Sequence, residues 1–150
     1  MAKIFVSSVI DAPAGEVWQR IRDFNGLPKW HPRIAESQIE NGEPGDRVGC
    51  VRSFRLQNGD HFREKLIALS DYDMSCSYTI LQSPMPLIDY VATLKLTPIT
   101  DGERCFAEWS AVFECAPDKT EELVKGIATN VFQGGFDALK RRFTRAAASR

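Results

Sequence analysis

Two charged residues occupy positions where the sequence pattern otherwise places apolar side chains. Arg52 alternates with Cys50 and Phe54 along one predicted strand, and Glu64 alternates with Phe62 along the next. Every second side chain of a strand lies on the same face, so each charge is expected on an apolar face. A charged group in such a setting is a candidate polar anchor for a bound molecule.

The loop between these two strands decides whether Arg52 and Glu64 meet. The dipeptide Asn58-Gly59 is typical of a two-residue turn, which would mix apolar and charged side chains on each face. A three-residue loop over 57–59 instead sets Arg52 opposite Glu64 and keeps the faces uniform. Because a shift of one residue turns every side chain to the other face, the face pattern favours the three-residue loop.

Arg52 and Glu64 together support two interpretations. As a functional pair, Arg52 could bind a carboxylate or an oxyanion while Glu64 orients it or acts as a base. As a structural pair, they form a cross-strand ion pair near the rim of the sheet, which contributes about 0.2–1 kcal/mol to stability. Two fully buried charges are costly without good pairing, so a partly hydrated pocket is expected under either interpretation.

Three aromatic residues that carry a hydrogen-bonding group are predicted on the same side of the sheet. Tyr78, Tyr90 and Trp109 each combine an apolar ring with a hydroxyl or N–H that needs a partner when buried. A tyrosine hydroxyl could donate to a carbonyl of a bound ligand. The small residues Ala92 and Ala111 nearby favour a pocket, although alternating large and small side chains also fill an ordinary core.

His31 is a candidate acid or base, because histidine titrates near neutral pH. A capping or packing role is the alternative. The second histidine, His61, lies far away in the sequence, and the four cysteines have neither Cys-x-x-Cys spacing nor a nearby histidine. We therefore expect no metal site, and the absence of nucleotide-binding motifs predicts no cofactor. The candidates for catalysis are Arg52, Glu64 and His31.

Gly134 and Gly135 interrupt a segment that is otherwise predicted to be helical. Two glycines inside a helix cost about 2 kcal/mol of stability relative to two alanines. A feature of the fold should therefore require their missing side chains. That feature is either a ligand, or a kink that opens a cavity, or close contact with an aromatic residue of the sheet.

Length and composition limit the classes of protein that the chain can belong to. It has 150 residues, 43% of them apolar and 26% charged, which fits one globular domain over 1–150. The formal net charge of -1 lacks the basic surplus of nucleic-acid-binding proteins. No stretch approaches the ~20 apolar residues of a membrane span, and the N-terminus lacks a signal peptide. We therefore expect a cytoplasmic protein.

The apolar pattern predicts one order of secondary-structure elements. A strand over 3–11 precedes a first helix, which Gly26 and Pro28 end. Residues 35–115 alternate with period two in long segments joined by turn signals, which predicts an antiparallel meander. A long helix over 118–146 is the only predicted element large enough to cover the sheet.

Short motifs along the whole chain carry a resemblance to a known family. They are Ala12-Pro13-Ala14, Trp30-His31-Pro32, Arg63-Glu64-Lys65-Leu66, Tyr78-Thr79-Ile80, Trp109-Ser110-Ala111 and Gly134-Gly135-Phe136. In their order and spacing the sequence resembles the START and pollen-allergen (SRPBCC) superfamily, and within it the bacterial polyketide cyclase/dehydrase group. The resemblance implies an α+β helix-grip fold, in which a curved antiparallel sheet of about seven strands wraps a long C-terminal helix and two short helices follow the first strand.

The same resemblance implies a cavity between sheet and long helix for a small hydrophobic molecule, such as a lipid, a hormone, a polyketide or an aromatic metabolite. The residues expected to bind this ligand are Trp30, Arg52, Phe54, Glu64, Leu66, Tyr78, Ile80, Tyr90, Ala92, Trp109, Ala111, Val131 and Gly135. Leu27, Met85 and Leu87 are expected to be exposed at the cavity mouth, where they could serve ligand entry or a dimer contact.

Three functions remain open at this point, because a shared fold does not transfer chemistry. The first is binding or carriage of a small hydrophobic molecule. The second is a cofactor-free enzyme of the cyclase or dehydratase type, which needs an acid–base pair near one point of the pocket. The third is a protein-interaction module whose own side chains fill the cavity. The sequence is compatible with a monomer or a homodimer.

Overall fold

The computed structural model describes residues 1–148 of the chain, and side chains as far as residue 143. The strands are β1 (Ala2–Ile10), β2 (Ile34–Ile39), β3 (Val51–Leu56), β4 (His61–Ser70), β5 (Ser75–Gln82), β6 (Ile88–Ile99) and β7 (Arg104–Glu114). The α-helices are α1 (Ala14–Ile21), α2 (Thr120–Gly126) and α3 (Gly134–Ala148). Shorter 3-10 segments lie at Phe24–Lys29, Glu40–Gly42 and Pro117–Lys119, and a π-helical segment, Ile127–Gln133, joins α2 to α3.

Within the described residues, seven strands form one antiparallel sheet in the order β1-β7-β6-β5-β4-β3-β2. Strands β2 to β7 follow one another as neighbours, as the predicted meander requires, and β1 pairs with β7 at the far edge. Along β7, the buried residues are every second one from Cys105 to Phe113. One face of the sheet is therefore packed against the core, and the predicted α+β helix-grip fold is confirmed.

The C-terminal helix, formed by α2, the π-helical segment and α3, differs in one respect from the predicted regular helix. A regular helix would place Val131 on the same face as Ile127, whereas the next buried residue after Ile127 is Phe132, and Val131 is only half-buried. The π-helical hydrogen bonds run between residues five apart and so add one residue to the turn. No helix within residues 1–148 is long and apolar enough to cross a membrane.

Two predicted element boundaries are wrong. Helix α1 ends at Ile21, because Asp23 takes up an extended backbone with ψ of 98°, and Gly26 and Pro28 lie in the following 3-10 segment. The predicted strand that contains Cys50, Arg52 and Phe54 also begins later than its alternation indicates. Strand β3 begins only at Val51, after Gly49 with its positive φ of 101°, a conformation that residues with a Cβ adopt rarely.

Candidate functional site

A cavity of about 280 Å³, partly open to solvent, lies between the sheet and the C-terminal helix. Its apolar lining comprises Leu27, Ile34, Phe54, Leu56, Phe62, Ile80, Met85, Leu87, Ile127 and Val131. Its polar and aromatic lining comprises His31, Arg33, Arg52, Asn58, Asp60, Glu64, Tyr78, Tyr90, Trp109 and Asn130, with Gly126 beside them. The cavity is thus an apolar space with charged and hydroxyl-bearing groups placed at particular points.

Arg52 and Glu64 form a buried ion pair in this lining. They lie opposite each other on β3 and β4, and Phe54 lies opposite Phe62, so the three-residue loop predicted from the face pattern is confirmed. Arg52 donates from Nε at 2.9 Å and from Nη2 at 2.7 Å, and both bonds end on Glu64 Oε1. Each residue is only 6% exposed, so the pair is not at the sheet rim.

Three aromatic rings surround the Arg52 guanidinium. Its central carbon lies 4.0 Å from the ring centroid of Phe24, 4.8 Å from that of Tyr78 and 5.6 Å from that of Phe54. Arg52 Nη1 also donates a 3.0 Å hydrogen bond to the carbonyl oxygen of Phe24. The guanidinium is therefore held by a carboxylate, a backbone carbonyl and the negative faces of three rings.

The Glu64 carboxyl group is the titratable acid of the cavity interior. Burial raises the pKa of Glu64 above its usual value of 4.5, and the positive charge and hydrogen bonds of Arg52 oppose that rise. Burial favours the protonated form of a carboxyl group, whereas a neighbouring cation favours the ionised form. This arrangement can orient a polar ligand group and could accept a proton from one.

Tyr78, Tyr90 and Trp109 form a second polar group beside the ion pair. The Nε1–H of Trp109 donates a 3.1 Å hydrogen bond to the Tyr78 hydroxyl oxygen, which leaves the hydroxyl proton of Tyr78 for another acceptor. Burial first, and then the charge of Glu64, raise the pKa of Tyr78 far above 10.0. Burial and the nearby Tyr78 raise the pKa of Tyr90 in the same direction. Both hydroxyls are therefore neutral hydrogen-bond donors.

His31 is buried at the edge of the cavity with both ring nitrogens in use. Nδ1 accepts a 3.3 Å hydrogen bond from the backbone N–H of Arg33, and Nε2 lies 2.8 Å from the carbonyl oxygen of Val131. A carbonyl can only accept, so Nε2 carries the proton and the ring is neutral. Burial lowers the pKa of His31 below 6.5. The packing and capping interpretation of His31 fits this arrangement.

Gly135 has no room for a side chain. A Cβ at this position would lie 3.0 Å from ring carbons of His31 and Trp109 and 3.1 Å from one of Trp30. At Gly134 a Cβ would meet only the carbonyl oxygen of Thr129, at an ordinary 3.6 Å. Close contact with aromatic residues is therefore the reason for a glycine at 135, and not at 134.

The structure brings most of the predicted ligand-binding residues to the cavity lining: Arg52, Phe54, Glu64, Tyr78, Ile80, Tyr90, Trp109 and Val131, together with the catalytic candidate His31. Others lie outside that lining: Trp30, Leu66, Ala92, Ala111 and Gly135. Ala92 and Ala111 are cross-strand partners, and both are buried. Whether any of these residues binds a ligand stays a prediction.

Several residues of the cavity lining were not predicted from the sequence. Phe62 could have been found, because it is the cross-strand partner of Phe54 and stacks on it with ring centroids 5.3 Å apart. Ile127 could have been found four residues before Val131 on the same helix. Loop positions such as Asn58 gave no periodic signal. Leu27, expected to be exposed at the mouth, is instead buried, at 6% exposure.

Solved structures with similar sequences share this fold over nearly their whole length. A protein named XoxI from Bacillus cereus is 29% identical, with a TM-score of 0.85 and coverage of 96% of each chain. A solution structure from Thermobifida fusca is 30% identical, with a TM-score of 0.87 and coverage of 97% of this chain and 95% of that one.

A more distant structure widens the fold comparison to plants. The ginseng major latex-like protein 151 from Panax ginseng is 14% identical, with a TM-score of 0.77 and coverage of 94% of this chain and 96% of that one, and it shows a shared fold alone. The family described as polyketide cyclase / dehydrase and lipid transport matches residues 1–144. With this match over almost the whole chain, and a cavity of the kind that the fold encloses, the protein belongs to the polyketide cyclase/dehydrase and lipid transport family of the SRPBCC superfamily.

Proposed function

We propose that this protein binds one small aromatic or polyketide-like molecule in the cavity between the sheet and the C-terminal helix. The observation that carries the proposal is the cavity itself, whose surface is mostly apolar and whose buried charged and hydroxyl-bearing residues are Arg52, Glu64, Tyr78 and Tyr90. Small-molecule sites commonly combine an apolar wall with a small number of polar groups that fix the orientation of the ligand. The family's description, which joins polyketide chemistry with lipid transport, supports the same class of ligand.

The size of the cavity favours a compact ligand. An engineered apolar cavity of about 150 Å³ holds benzene, so a space of about 280 Å³ suits a molecule of roughly two rings. The stacked rings of Phe54 and Phe62 form a flat wall that complements a planar molecule. A long acyl chain would have to extend past Met85 and Leu87 into solvent, which makes a lipid the less suitable occupant.

A cofactor-free cyclase or dehydratase is the second candidate function, and one observation favours it. Glu64, whose pKa burial raises, lines the same cavity as the neutral hydroxyls of Tyr78 and Tyr90. A carboxyl and a hydroxyl near one point are the groups that general acid–base catalysis requires. If Glu64→Gln leaves turnover of a true substrate unchanged, this role for Glu64 is wrong.

The third candidate, a protein-interaction module, is not favoured, because it was expected to have a core without a ligand-sized void.

Native mass spectrometry of the freshly purified protein, followed by denaturation and extraction, tests for a co-purified ligand. A titration with the fluorescent two-ring probe 2-naphthol, which is uncharged at pH 7.5, then measures binding to the emptied protein. The informative variant is Ile80→Trp, which fills the cavity, and the matched control is Leu81→Trp on the next residue. Ile80 lines the cavity, whereas Leu81 lies outside the lining and is 44% exposed.

We expect the wild-type protein and Leu81→Trp to bind the probe with similar affinity. Ile80→Trp should bind it at least 10-fold more weakly, which corresponds to about 1.4 kcal/mol of lost binding free energy. Circular dichroism checks that both variants keep the fold. Absence of both a co-purified molecule and probe binding in the wild-type protein, or equal binding by all three proteins, would overturn the proposal.

A further inference from the structure

The charged side chains that line the cavity are balanced in number. Arg33 and Arg52 are positive, whereas Asp60 and Glu64 are negative. Arg33 and Asp60 are exposed at the rim, where solvent screens them. Arg52 and Glu64 are buried together, and the ring of His31 is neutral in its hydrogen-bonded form. The buried part of the lining therefore has no net charge.

Three of the five N–H groups of Arg52 already donate hydrogen bonds, and its positive charge is compensated. Three hydrogen bonds already use its Nε–H, one Nη1–H and one Nη2–H. Glu64 lies 2.7 Å from Nη2 and compensates the positive charge. A ligand carboxylate that entered this space would place a second negative charge near Glu64, with no other buried cation in the described lining. The carboxylate would therefore lose its hydration without gaining a net attraction from the buried charges of the lining.

The remaining polar groups suit an uncharged oxygen. Tyr78 accepts from Trp109 and keeps its own hydroxyl proton to donate. Tyr90 also lines the cavity, and its hydroxyl is hydrogen-bonded to Tyr78. A ketone or phenol oxygen can accept from the Tyr78 hydroxyl without bringing a charge into the apolar space.

From these contacts, and resting on the proposed function, we infer that the cavity selects an uncharged ring compound with a ketone or phenol oxygen and rejects the corresponding carboxylate, and that Glu64 determines this selectivity. The carboxylate of Glu64 acts by neutralising the positive charge of Arg52. This interpretation replaces the expectation from the sequence that Arg52 could bind a ligand carboxylate.

Two probes of nearly equal shape test the inference. 2-Acetylnaphthalene has a methyl ketone where 2-naphthoic acid has a carboxyl group, which is ionised at pH 7.5. Their dissociation constants are measured by isothermal titration calorimetry with the wild-type protein. We expect the ketone to bind roughly 100-fold more tightly than the carboxylate, because the carboxylate loses its hydration in a space whose buried charges sum to zero.

Glu64→Gln should reverse this preference. It removes the negative charge while keeping the shape of the side chain, so Arg52 is left as an uncompensated buried cation. Naphthoate should then bind more tightly than the ketone. The matched control is Glu40→Gln, which removes a carboxylate from the solvent-accessible pair with Arg63 and should leave the preference unchanged. Circular dichroism establishes that each variant is folded.

The outcomes separate this inference from the proposed function. If both probes bind the wild-type protein equally, or if naphthoate binds more tightly, the cavity binds ligands but the inference is wrong. A wild-type preference for the ketone that persists unchanged in folded Glu64→Gln overturns the role of Glu64. If neither probe binds the wild-type protein, the proposed ligand class fails and the inference fails with it. The wild-type comparison stands even if Glu64→Gln does not fold.

Discussion

The Nε2–H of His31 donates a hydrogen bond of 2.8 Å to the carbonyl oxygen of Val131, across 100 positions of the sequence. This bond joins the segment before β2 to the π-helical segment of the C-terminal helix. The same ring accepts from the backbone N–H of Arg33 through Nδ1. One neutral histidine thus connects two elements that both line the cavity, and protonation at Nδ1 would remove one of its two bonds.

Acidification should destabilise the protein through His31. Burial lowers the pKa of His31 in the folded protein below the unfolded value of 6.5. At a pH between these two pKa values, the unfolded chain binds the proton and the folded protein does not. The contribution of His31 is therefore complete above pH 6.5 and is lost as pH falls below it, by up to about 1.4 kcal/mol per pH unit. Urea unfolding between pH 5 and 8 measures this slope.

The control for this prediction is a pair of variants. His31→Gln should flatten the slope relative to the wild-type protein, because the titrating group is gone. His61→Gln, at an exposed position on β4, is the matched control. Identical slopes in the wild-type protein and His31→Gln would contradict the prediction.

Substitutions at the adjacent glycines Gly134 and Gly135 should have opposite effects on stability. Gly134→Ala meets no close contact and should raise the free energy of unfolding by up to about 1 kcal/mol, since alanine favours a helix. Gly135→Ala places a methyl group within 3.1 Å of three buried rings, and such overpacking typically costs about 1–3 kcal/mol. Thermal unfolding of both variants measures these effects. Equal stabilisation by the two alanines would contradict the prediction, because it would mean that the rings move to accommodate the methyl group.

Removing one partner of the buried ion pair should cost more than removing both. Glu64→Leu leaves Arg52 charged and uncompensated, and breaking such a pair costs about 3–5 kcal/mol. The double variant Arg52→Met/Glu64→Leu replaces both charges with apolar side chains and should be closer to the wild-type protein in stability. Guanidinium chloride unfolding measures all of these free energies.

The surface pair Glu40–Arg63 provides the comparison for this prediction. Its side chains are 26% and 34% exposed, and solvent screens their attraction. Glu40→Leu should therefore change the free energy of unfolding by less than about 1 kcal/mol. The proposed coupling is contradicted if the loss of unfolding free energy in the double variant of the buried pair equals the sum of the losses in its two single variants.

Cysteine reactivity should follow burial. Cys76 and Cys105 are buried, and burial raises the pKa of each thiol to about 11, so few thiolates form at pH 8. Cys115 is only half-buried after the end of β7. Brief iodoacetamide treatment should therefore modify Cys115 first, as peptide mass spectrometry would show. Early modification of Cys76 or Cys105 in the folded protein would contradict the expected order.

Local periodicity was sufficient to predict which strand faces meet. The pairing of Arg52 with Glu64 followed from the period of two, because any other register would have turned apolar side chains to solvent. The same signal failed at the C-terminal helix. A regular helical period placed Val131 on the buried face, whereas the π-helical segment shifts that position to Phe132. Val131 and Phe132 are both apolar, so the pattern does not show which of them the helix buries.

The sequence by itself determined the order of the elements, the antiparallel meander and the family, because alternation, turn residues and motif spacing are properties of neighbouring residues. Only the tertiary structure decided that the Arg52–Glu64 pair is buried, that both nitrogens of His31 are occupied, and that Gly135 touches three rings. These facts depend on contacts between residues far apart in the chain. Burial and hydrogen-bond partners arise only when the helix closes over the sheet, so local periodicity cannot encode them.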